Sequence, residues 1–407
     1  MKKFLALVLA LSMVFALCAC GSGNAPAAEP AAPEAEPAAP EAEPAAPEAE
    51  PAAPEAEPAA PEAEPAAPEA ESELVWGIKP FDEPQKITIG FFTGSPLSYP
   101  YLFAKNLGIF EQLNIEPEFV CFTGGPAMME AGKDWDICSL GLGGVSIGLS
   151  AYDYTLIDVN DYEENLAIFC RPDSPIANDP TNPEVWKGVE CVYPTGTTAQ
   201  TVLAAYLQSI GLSLADVKST QADNANSLTV FDGGTGDVLG CWNAIALAAE
   251  DKGYVRVSDS GQLGIGMMCG SFAHPEFLAK NPELVAACVA IFHQAAEWSA
   301  QNVEQAAEWY YEHCEEEGFL CTPEVALKTM QWYRGPSVDQ YLEKFLGEGR
   351  EDEGAGRKLL PIEEDILLGY DFFVSEGKYT AEQRDTWLKD CRVDNSVALA
   401  VKELLGK

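Results

Sequence analysis

The chain has 407 residues and a formal net charge of −40 at pH 7, because 64 Asp and Glu face only 24 Lys and Arg. The negative electrostatic field of such a chain repels nucleic acid and anionic lipid, so we exclude nucleic acid as a partner. We expect any anionic ligand to be bound by local dipoles instead. With 47% hydrophobic residues, the part beyond the amino-terminal segments is long enough for one large two-lobed domain.

Residues 1–20 have the pattern of an export signal. Lys2 and Lys3 precede an apolar run that is too short to span a membrane, and the run ends at Leu17-Cys18-Ala19-Cys20. This ending resembles the bacterial lipobox, in which the final cysteine is lipidated and becomes the mature amino terminus. By that resemblance Cys20 carries the lipid; the alternative is a plain secretory signal.

Residues 21–73 predict an extended tether. The heptad EPAAPEA repeats six times from residue 29 to residue 70. Proline recurs in every repeat and no position carries a large apolar residue, which disfavours a coiled coil and favours a polyproline form. At ~3.1 Å per residue, such a segment spans on the order of 150 Å and holds the following domain away from the membrane.

A first series of strands and helices follows. The sequence predicts helices at 101–110 and from 145, and strands at 86–92, 115–122, 135–138, 155–159 and 166–170, which together form the sheet of one lobe. Residues 171–183 are rich in Pro, Asp and Asn and are typical of a crossover between lobes. Alternation of strands with helices predicts mostly parallel sheets with helices on both faces.

A second series begins at residue 186, with strands at 189–193 and 255–257 and a helix at 241–251, and residues 219–222 and 231–239 continue it. From residue 275 the pattern becomes helical. It includes Trp298, Trp309, Tyr310 and Trp332, which we interpret as core packing rather than a cofactor site.

The stretch from Val192 to Ile210 predicts a strand, a turn and a helix that begins near Thr197. A helix start leaves several N–H groups unpaired at the positive end of the helix dipole, so this turn is suited to a carboxylate, sulfonate or phosphate. Thr197 or Thr198 is the candidate cap. Taken alone, the stretch favours an ordinary capped helix, because such turns are common in βαβ proteins; the anion interpretation depends on the rest of the chain.

Ten of the twelve cysteines lie beyond the signal, and none forms a CxxC motif. Several fall in apolar strand-like runs, so we expect unpaired, buried thiols rather than a disulfide framework. The Cys314–Cys321 pair is left open. Only three histidines are present and none has ligand spacing with the cysteines, so no metal site and no cofactor are expected.

Five short motifs resemble, in order, the solute-binding proteins of ABC importers in the nitrate, sulfonate and taurine group, which includes binders of thiamine-pyrimidine precursors. They are Leu-Gly-Ile-Phe at 107–110, Gly-Gly-Pro-Ala-Met-Met-Glu-Ala at 124–131, Trp-Asp-Ile with Leu-Gly at 135–141, Thr-Gly-Thr-Thr at 195–198, and Asp-Val-Leu with Trp-Asn-Ala at 237–244. Asn243 and Ala244 depart from the family's usual Trp-x-Pro ending, which puts the shape of that wall of the site in question.

The resemblance implies a two-lobed α/β fold of the periplasmic-binding-protein type (type II) with a carboxy-terminal helical extension. We place lobe 1 at 74–182 and 262–407, and lobe 2 at 183–261. Ligands of open α/β sheets bind at the carboxyl ends of the strands. The expected binding residues of the inter-lobe cleft are therefore Gly94, Ser95, Tyr99, Thr123, Gly124, Gly125, Gly143, Gly144, Thr195, Thr197, Thr198, Trp242 and Asn243. For the aromatic residues Tyr99 and Trp242, core packing is the competing interpretation.

The same resemblance implies a lipid-anchored, monomeric protein on the extracytoplasmic face of a bacterial membrane. It would bind a small polar or anionic solute (sulfonate, taurine, nitrate or pyrimidine-like) and pass it to an ABC permease with its ATPase. Few cations lie near the turns, with Lys105 and Lys133 the nearest, so an uncharged solute fits as well as a sulfonate. A sensory or adhesion lipoprotein is one alternative; a pyrimidine-forming enzyme is another, although the clustered cysteines of that enzyme are missing here.

Overall fold

The computed structural model describes residues 74–407, except positions 164, 334, 376, 378 and 391. The first of its two large sheets has the strand order β2-β1-β3-β10-β4. β1 pairs in parallel with β2 and β3, whereas β10 runs antiparallel between β3 and β4. The strands are β1 (Gln85–Phe92), β2 (Ile115–Phe122), β3 (Ile137–Gly141), β4 (Thr155–Glu163) and β10 (Met267–Ala273).

The second sheet repeats this plan, with the order β7-β6-β8-β5-β9. β6 pairs in parallel with β7 and β8, and β5 runs antiparallel between β8 and β9. Each sheet thus has four strands in one direction and one reversed strand, as the prediction of mostly parallel sheets requires. The strands are β5 (Leu166–Cys170), β6 (Glu190–Tyr193), β7 (Lys218–Gln221), β8 (Val238–Trp242) and β9 (Val255–Asp259).

The position of β5 corrects one sequence prediction. We expected residues 166–170 to complete the first sheet and residues 171–183 to form the crossover, but β5 pairs with β8 and β9 of the second sheet. The chain therefore changes lobe between β4 and β5, next to the buried Asn165. All five residues of β5 are buried and apolar, so the strand carries no sign of which sheet it joins.

Helices cover both sheets of the two lobes. Several begin directly after a strand or within a few residues of its end, which places their amino termini at the carboxyl ends of the strands. The helices of the two strand series are α1 (Tyr99–Asn106), α2 (Ile109–Gln112), α3 (Gly125–Glu130), α4 (Leu142–Ala151), α5 (Pro175–Asn178), α6 (Thr198–Ser209), α7 (Asn224–Asp232) and α8 (Asn243–Asp251), with single 3₁₀ turns at Pro96–Ser98, Pro183–Trp186 and Leu214–Asp216.

The carboxy-terminal extension is helical, as predicted, apart from the short hairpin of β11 (Glu351–Asp352) and β12 (Arg357–Lys358). Its helices are α9 (Pro275–Lys280), α10 (Pro282–Gln301), α11 (Val303–Glu316), α12 (Pro323–Trp332), α13 (Val338–Leu346), α14 (Pro361–Ser375), α15 (Ala381–Lys389) and α16 (Ser396–Leu404). No helix among the described residues combines the length and the apolar character needed to cross a membrane.

A buried polar network fixes the extension to the first sheet. His293 of α10 lies 2.7 Å from a carboxylate oxygen of Asp158 on β4, and its other ring nitrogen lies 2.7 Å from the carbonyl of Pro336. The hydroxyl of Tyr341 donates to the carbonyl of Ile157, at 3.0 Å. Burial raises the pKa of Asp158, and the facing histidine opposes that change.

The aromatic residues of the extension follow the core interpretation with one exception. Trp298 and Trp309 stack at 5.2 Å between ring centroids, and Tyr310 is fully buried. Trp332, in contrast, is 51% exposed at the end of α12. The prediction that Trp332 belongs to the core is therefore wrong, and its ring faces a cavity described below.

The nine cysteines among the described residues are free thiols, in agreement with the sequence interpretation. The thiols of Cys314 and Cys321 form a hydrogen bond, and this bond together with burial raises the pKa of the Cys314 thiol. Among the described residues, no group of His, Cys, Asp and Glu is arranged to hold a metal ion. The predicted signal, tether and lipid-bearing Cys20 lie outside the described residues.

Candidate functional site

The glycine turns of the first lobe meet the start of α6 in the second lobe. Gly125, Gly143 and Gly144 line one small cavity together with Thr197, Thr198 and Trp242. These six residues were predicted to converge, and the structure brings them together. We call this the central cavity; its volume is about 20 Å³, little more than the space of a single water molecule.

Backbone contact explains why the central cavity is so small. A Cβ atom added at Gly143 would lie 2.8 Å from the carbonyl oxygen of Gly196 and 2.9 Å from the Cα of Thr197. The two lobes therefore touch through main chain at this point. Only glycine allows the two backbones to approach so closely, because any other residue would place a side chain between them.

Three helices begin at the central cavity without a side-chain cap of their own. They are α4, which follows Gly141, α6, which follows Thr197, and α8, which follows Trp242. The hydroxyl of Thr197 donates to the carbonyl of Pro194 at 2.7 Å instead of capping α6. Free amides and the positive ends of three helix dipoles are thus gathered in one place.

The carboxylate of Glu163, the last residue of β4, occupies this place. The amide of Asn243 at the start of α8 donates to Oε1 of Glu163 at 3.3 Å, and the hydroxyl of Thr198 at the start of α6 bonds to the same carboxylate. A Cβ atom at Gly141 would lie 3.3 Å from Oε2. A carboxyl group of the protein itself therefore lies beside the helix termini that were expected to face a ligand.

Glu163 is 4% exposed, and burial raises its pKa to about 8, with the charge of Asp161 as a further cause. Hydrogen bonds from Cys269, Asn243 and Thr198 oppose this change. Sequence reasoning missed Glu163. The only signal was an acidic residue at the end of a strand, and nothing in the sequence relates that residue to three distant turns.

A larger cavity of about 220 Å³ adjoins the carboxylate on the side where the chain crosses between lobes. We call it the hinge cavity. It is lined by Pro96, Asp161, Tyr162, Glu163, Asn165, Asn243, Leu247, Thr329, Trp332 and Tyr333. The predicted residue Asn243 lies here, and helix α12 provides one wall.

A third cavity of about 270 Å³ lies on the other side of Trp242, and we call it the loop cavity. The first lobe contributes Thr93, Cys121 and the predicted residue Thr123, and the start of α7 contributes Asp223 and Asn224. The loop that follows α11 closes the cavity with Glu317, Gly318 and Phe319. Burial raises the pKa of Glu317 to about 7, against hydrogen bonds from Thr93 and the Gly94 amide.

Several predicted residues do not reach any of these cavities. The ring of Phe319 covers Gly94 so closely that a Cβ atom there would lie 2.2 Å from it, and Ser95 is buried. Tyr99 is fully buried with its ring 4.7 Å from that of Tyr310, so the core interpretation holds for it. Gly94 and Tyr99 are covered by the carboxy-terminal extension, whose position the sequence did not predict.

Two further predicted residues lie elsewhere. Gly124 has no atom within 4 Å of an added Cβ and does not line the three cavities. Thr195 lines a separate cavity between the second lobe and Phe372 of α14. Its backbone amide donates to the side chain of Gln221 at 2.7 Å, which turns the residue away from the cleft.

No protein-family model matches the sequence, and no curated protein matches it. Solved structures do match the fold. The aliphatic sulphonate-binding protein SsuA from Escherichia coli superposes with a TM-score of 0.57 at 18% identity, over 75% of this chain and 91% of that one. The periplasmic nitrate-binding protein NrtA from Synechocystis PCC 6803 gives a TM-score of 0.61 at 11% identity, over 79% and 89%.

A third match is the CA3427 gene product of Candida albicans, which has the generic periplasmic-binding-protein fold. Its TM-score is 0.55 at 11% identity, over 76% of this chain and 96% of that one. At these identities the similarity concerns the fold. The chain described here has that fold, two α/β lobes with a carboxy-terminal helical extension.

The lobe contact at Gly143 leads to a first prediction. We expect Gly143→Ala to lower the free energy of unfolding by about 1–3 kcal/mol, because the new methyl group overlaps the Gly196 carbonyl. We also expect the substitution to move the lobes apart. Urea unfolding and the radius of gyration from small-angle X-ray scattering measure the two effects. Gly233→Ala, at an exposed helix end with ordinary contacts, is the control. Unchanged scattering and stability in Gly143→Ala would refute this role.

The raised pKa of Glu163 leads to a second prediction. Its folded-state pKa of about 8 exceeds the ordinary value of 4.5, so its contribution to stability is complete below about pH 4.5 and is lost as the pH rises to about 8. We expect Glu163→Gln to lack this loss and to exceed the wild type in free energy of unfolding by on the order of 2 kcal/mol at about pH 8.

Urea unfolding of both proteins at about pH 5 and about pH 8 measures this difference. Glu317 titrates in both proteins, so the difference between them isolates Glu163. If the difference in free energy of unfolding between Glu163→Gln and the wild type does not increase with pH, the raised pKa assigned to Glu163 is contradicted.

Proposed function

Because the chain has the periplasmic-binding-protein fold, we propose that it is the solute-binding component of an ABC importer, and that it holds a small polar solute in the cleft between its lobes. The observation that carries this proposal is the direct main-chain contact of Gly143 with Gly196 and Thr197 across the cleft. This contact lies between two polar cavities, and both are of a size that suits a small molecule.

The arrangement is suited to binding with closure. The lobes are connected next to Asn165 and again between β9 and β10, so few backbone torsions have to change for the lobes to separate. Opening at the Gly143 contact would expose the hinge and loop cavities together. Closure around the solute would then present one shape to a membrane permease and its ATPase.

The matched structures suggest the type of protein rather than the solute. SsuA is a sulphonate-binding protein and NrtA is a nitrate-binding protein, and both ligands are anions. In this chain the carboxyl group of Glu163 lies at the centre of the cleft, bonded to side chains at the starts of α6 and α8. The solute has to fit a cleft that contains this carboxylate.

From the amino-terminal sequence we also propose that the protein is anchored to a membrane. The lipobox-like ending at Cys20 and the proline-rich repeat suit a monomeric domain held on the extracytoplasmic face by a lipid and a long spacer. A spacer of this kind allows the domain to collect solute at a distance and still reach a permease in the same membrane.

A binding screen tests the function. We expect isothermal titration calorimetry to find at least one saturable one-to-one binder among sulfonates, nitrate, short carboxylates, pyrimidines and amines. Mass spectrometry should recover that solute unchanged, because a receptor releases what it binds. Chemical conversion of the solute would favour an enzyme, and the absence of any binder across all five classes would refute the proposal.

Fractionation tests the anchor. We expect full-length protein expressed in a bacterium to sediment with membranes, and Cys20→Ala to appear in the soluble exported fraction, because the lipid is attached to that thiol. Cys18→Ala is the matched control, since it lies two residues away and keeps the lipidation cysteine. Membrane association of Cys20→Ala would refute lipid anchoring at that residue.

A further inference from the structure

We propose that the solute is a small organic cation, an amine or amidine that is protonated at neutral pH, held against carboxylates in the hinge and loop cavities. This inference rests on the proposed function and specifies its ligand class. It differs from the anions named for SsuA and NrtA.

The first argument is that the polar side chains an anion could use are already engaged. The side-chain amide of Asn243 and the hydroxyl of Thr198, at the starts of α8 and α6, both bond to the carboxyl group of Glu163. The central cavity beside them, about 20 Å³, is too small for a sulfonate in addition.

The second argument is the chemistry of the hinge cavity. Its lining includes two carboxyl groups, those of Asp161 and Glu163, and both residues are more than nine-tenths buried. Among the described residues that line this cavity there is no Lys, Arg or His. Two described positive groups contact lining residues from outside the lining: Arg256 donates to Asn165 at 2.9 Å, and the Nζ of Lys344 lies 5.1 Å from the ring centroid of Tyr162.

The third argument comes from the loop cavity, which is independent of Glu163. The Oε2 atom of Glu317 is buried and has no hydrogen-bond partner within the described part of the chain. Asp223 lines the same cavity, and again no Lys, Arg or His occurs among the described lining residues. An unpaired buried carboxylate oxygen is costly, so it indicates a donor that arrives from outside.

Aromatic rings complete the site. Trp332 stands at the hinge cavity with 51% of its surface exposed, and Trp242 separates the central and loop cavities. The face of an indole ring attracts an ammonium or amidinium group. Exposure of a large aromatic ring beside buried carboxyl groups is therefore explained by a cationic ligand that covers it.

The energetic reason is the cost of a buried charge. An ionised carboxylate in a water-poor cavity is destabilised unless a positive charge or several donors face it. A protonated amine supplies both the charge and N–H donors, and charge-assisted hydrogen bonds are about twice as strong as neutral ones. Burial has already raised the pKa of Glu163 to about 8, the response of a carboxyl group that lacks a paired cation.

The experiment compares probes with one carbon skeleton. Butylamine, 1,4-diaminobutane and agmatine are titrated into the full chain by isothermal calorimetry, next to butanesulfonate, butyrate and butanol. Butylamine, butyrate, butanesulfonate and butanol are of comparable size, so the comparison among these four isolates the sign of the charge, and 1,4-diaminobutane and agmatine test the effect of a second positive group. We expect at least one amine to bind at least about tenfold more tightly than each anion and than butanol.

Substitutions of the carboxyl groups test whether these groups contact the bound amine. We expect Glu163→Gln or Glu317→Gln to weaken the amine that binds best by about tenfold or more, because the charge is lost while the shape is kept. Glu184→Gln, an exposed carboxyl group paired with Lys187 on the surface of the second lobe, should change the affinity by less than about twofold. Thermal unfolding of each variant confirms that it is folded.

The outcomes are distinct. Tighter binding of butanesulfonate than of every amine would overturn the cation inference and leave the solute-binding function standing. Equal affinity of wild type, Glu163→Gln and Glu317→Gln for the amine would also overturn it, because the carboxyl groups would then lie outside the contact. Binding of none of these probes, combined with a negative broader screen, would overturn both proposals.

Discussion

The structure depends on one buried carboxylate at the point where its two lobes meet. Glu163 ends a strand of the first sheet, yet its hydrogen-bond donors stand at the starts of helices in the second lobe. A carboxyl group in this position joins a strand of the first sheet to the first residues of two helices of the second lobe, and so holds the lobes in register. It also changes the chemistry expected of the cleft, because the polar side chains at these two helix starts already bond within the protein.

Much of the fold could be predicted from the sequence, since strand and helix periodicity and glycine turns are local signals. The lobe contact of Gly143 with Thr197 follows from such turns. The sheet that β5 joins could not be predicted, because a short, wholly buried strand fits either sheet equally well. Tyr99 and Gly94 were misplaced for a different reason, since helices 200 residues further along the chain cover them.

The carboxy-terminal extension does more than add stability. Through the buried Asp158–His293 contact it is attached to the first sheet, and through Trp332, Glu317 and Phe319 it forms walls of the cleft. Two of the three cavities are therefore completed by residues far from the strand ends that define the fold. The size and polarity of the site are set by this added layer, and proteins with the same two lobes can differ in ligand through it alone.

The reversed strand in each sheet has a consequence for biogenesis. β4 is joined to the rest of the first sheet only through β10, which lies beyond the whole second lobe in the chain. A ribosome has to release residues up to about 273 before that sheet can close. The first lobe therefore completes its sheet only after the whole second lobe has been synthesised.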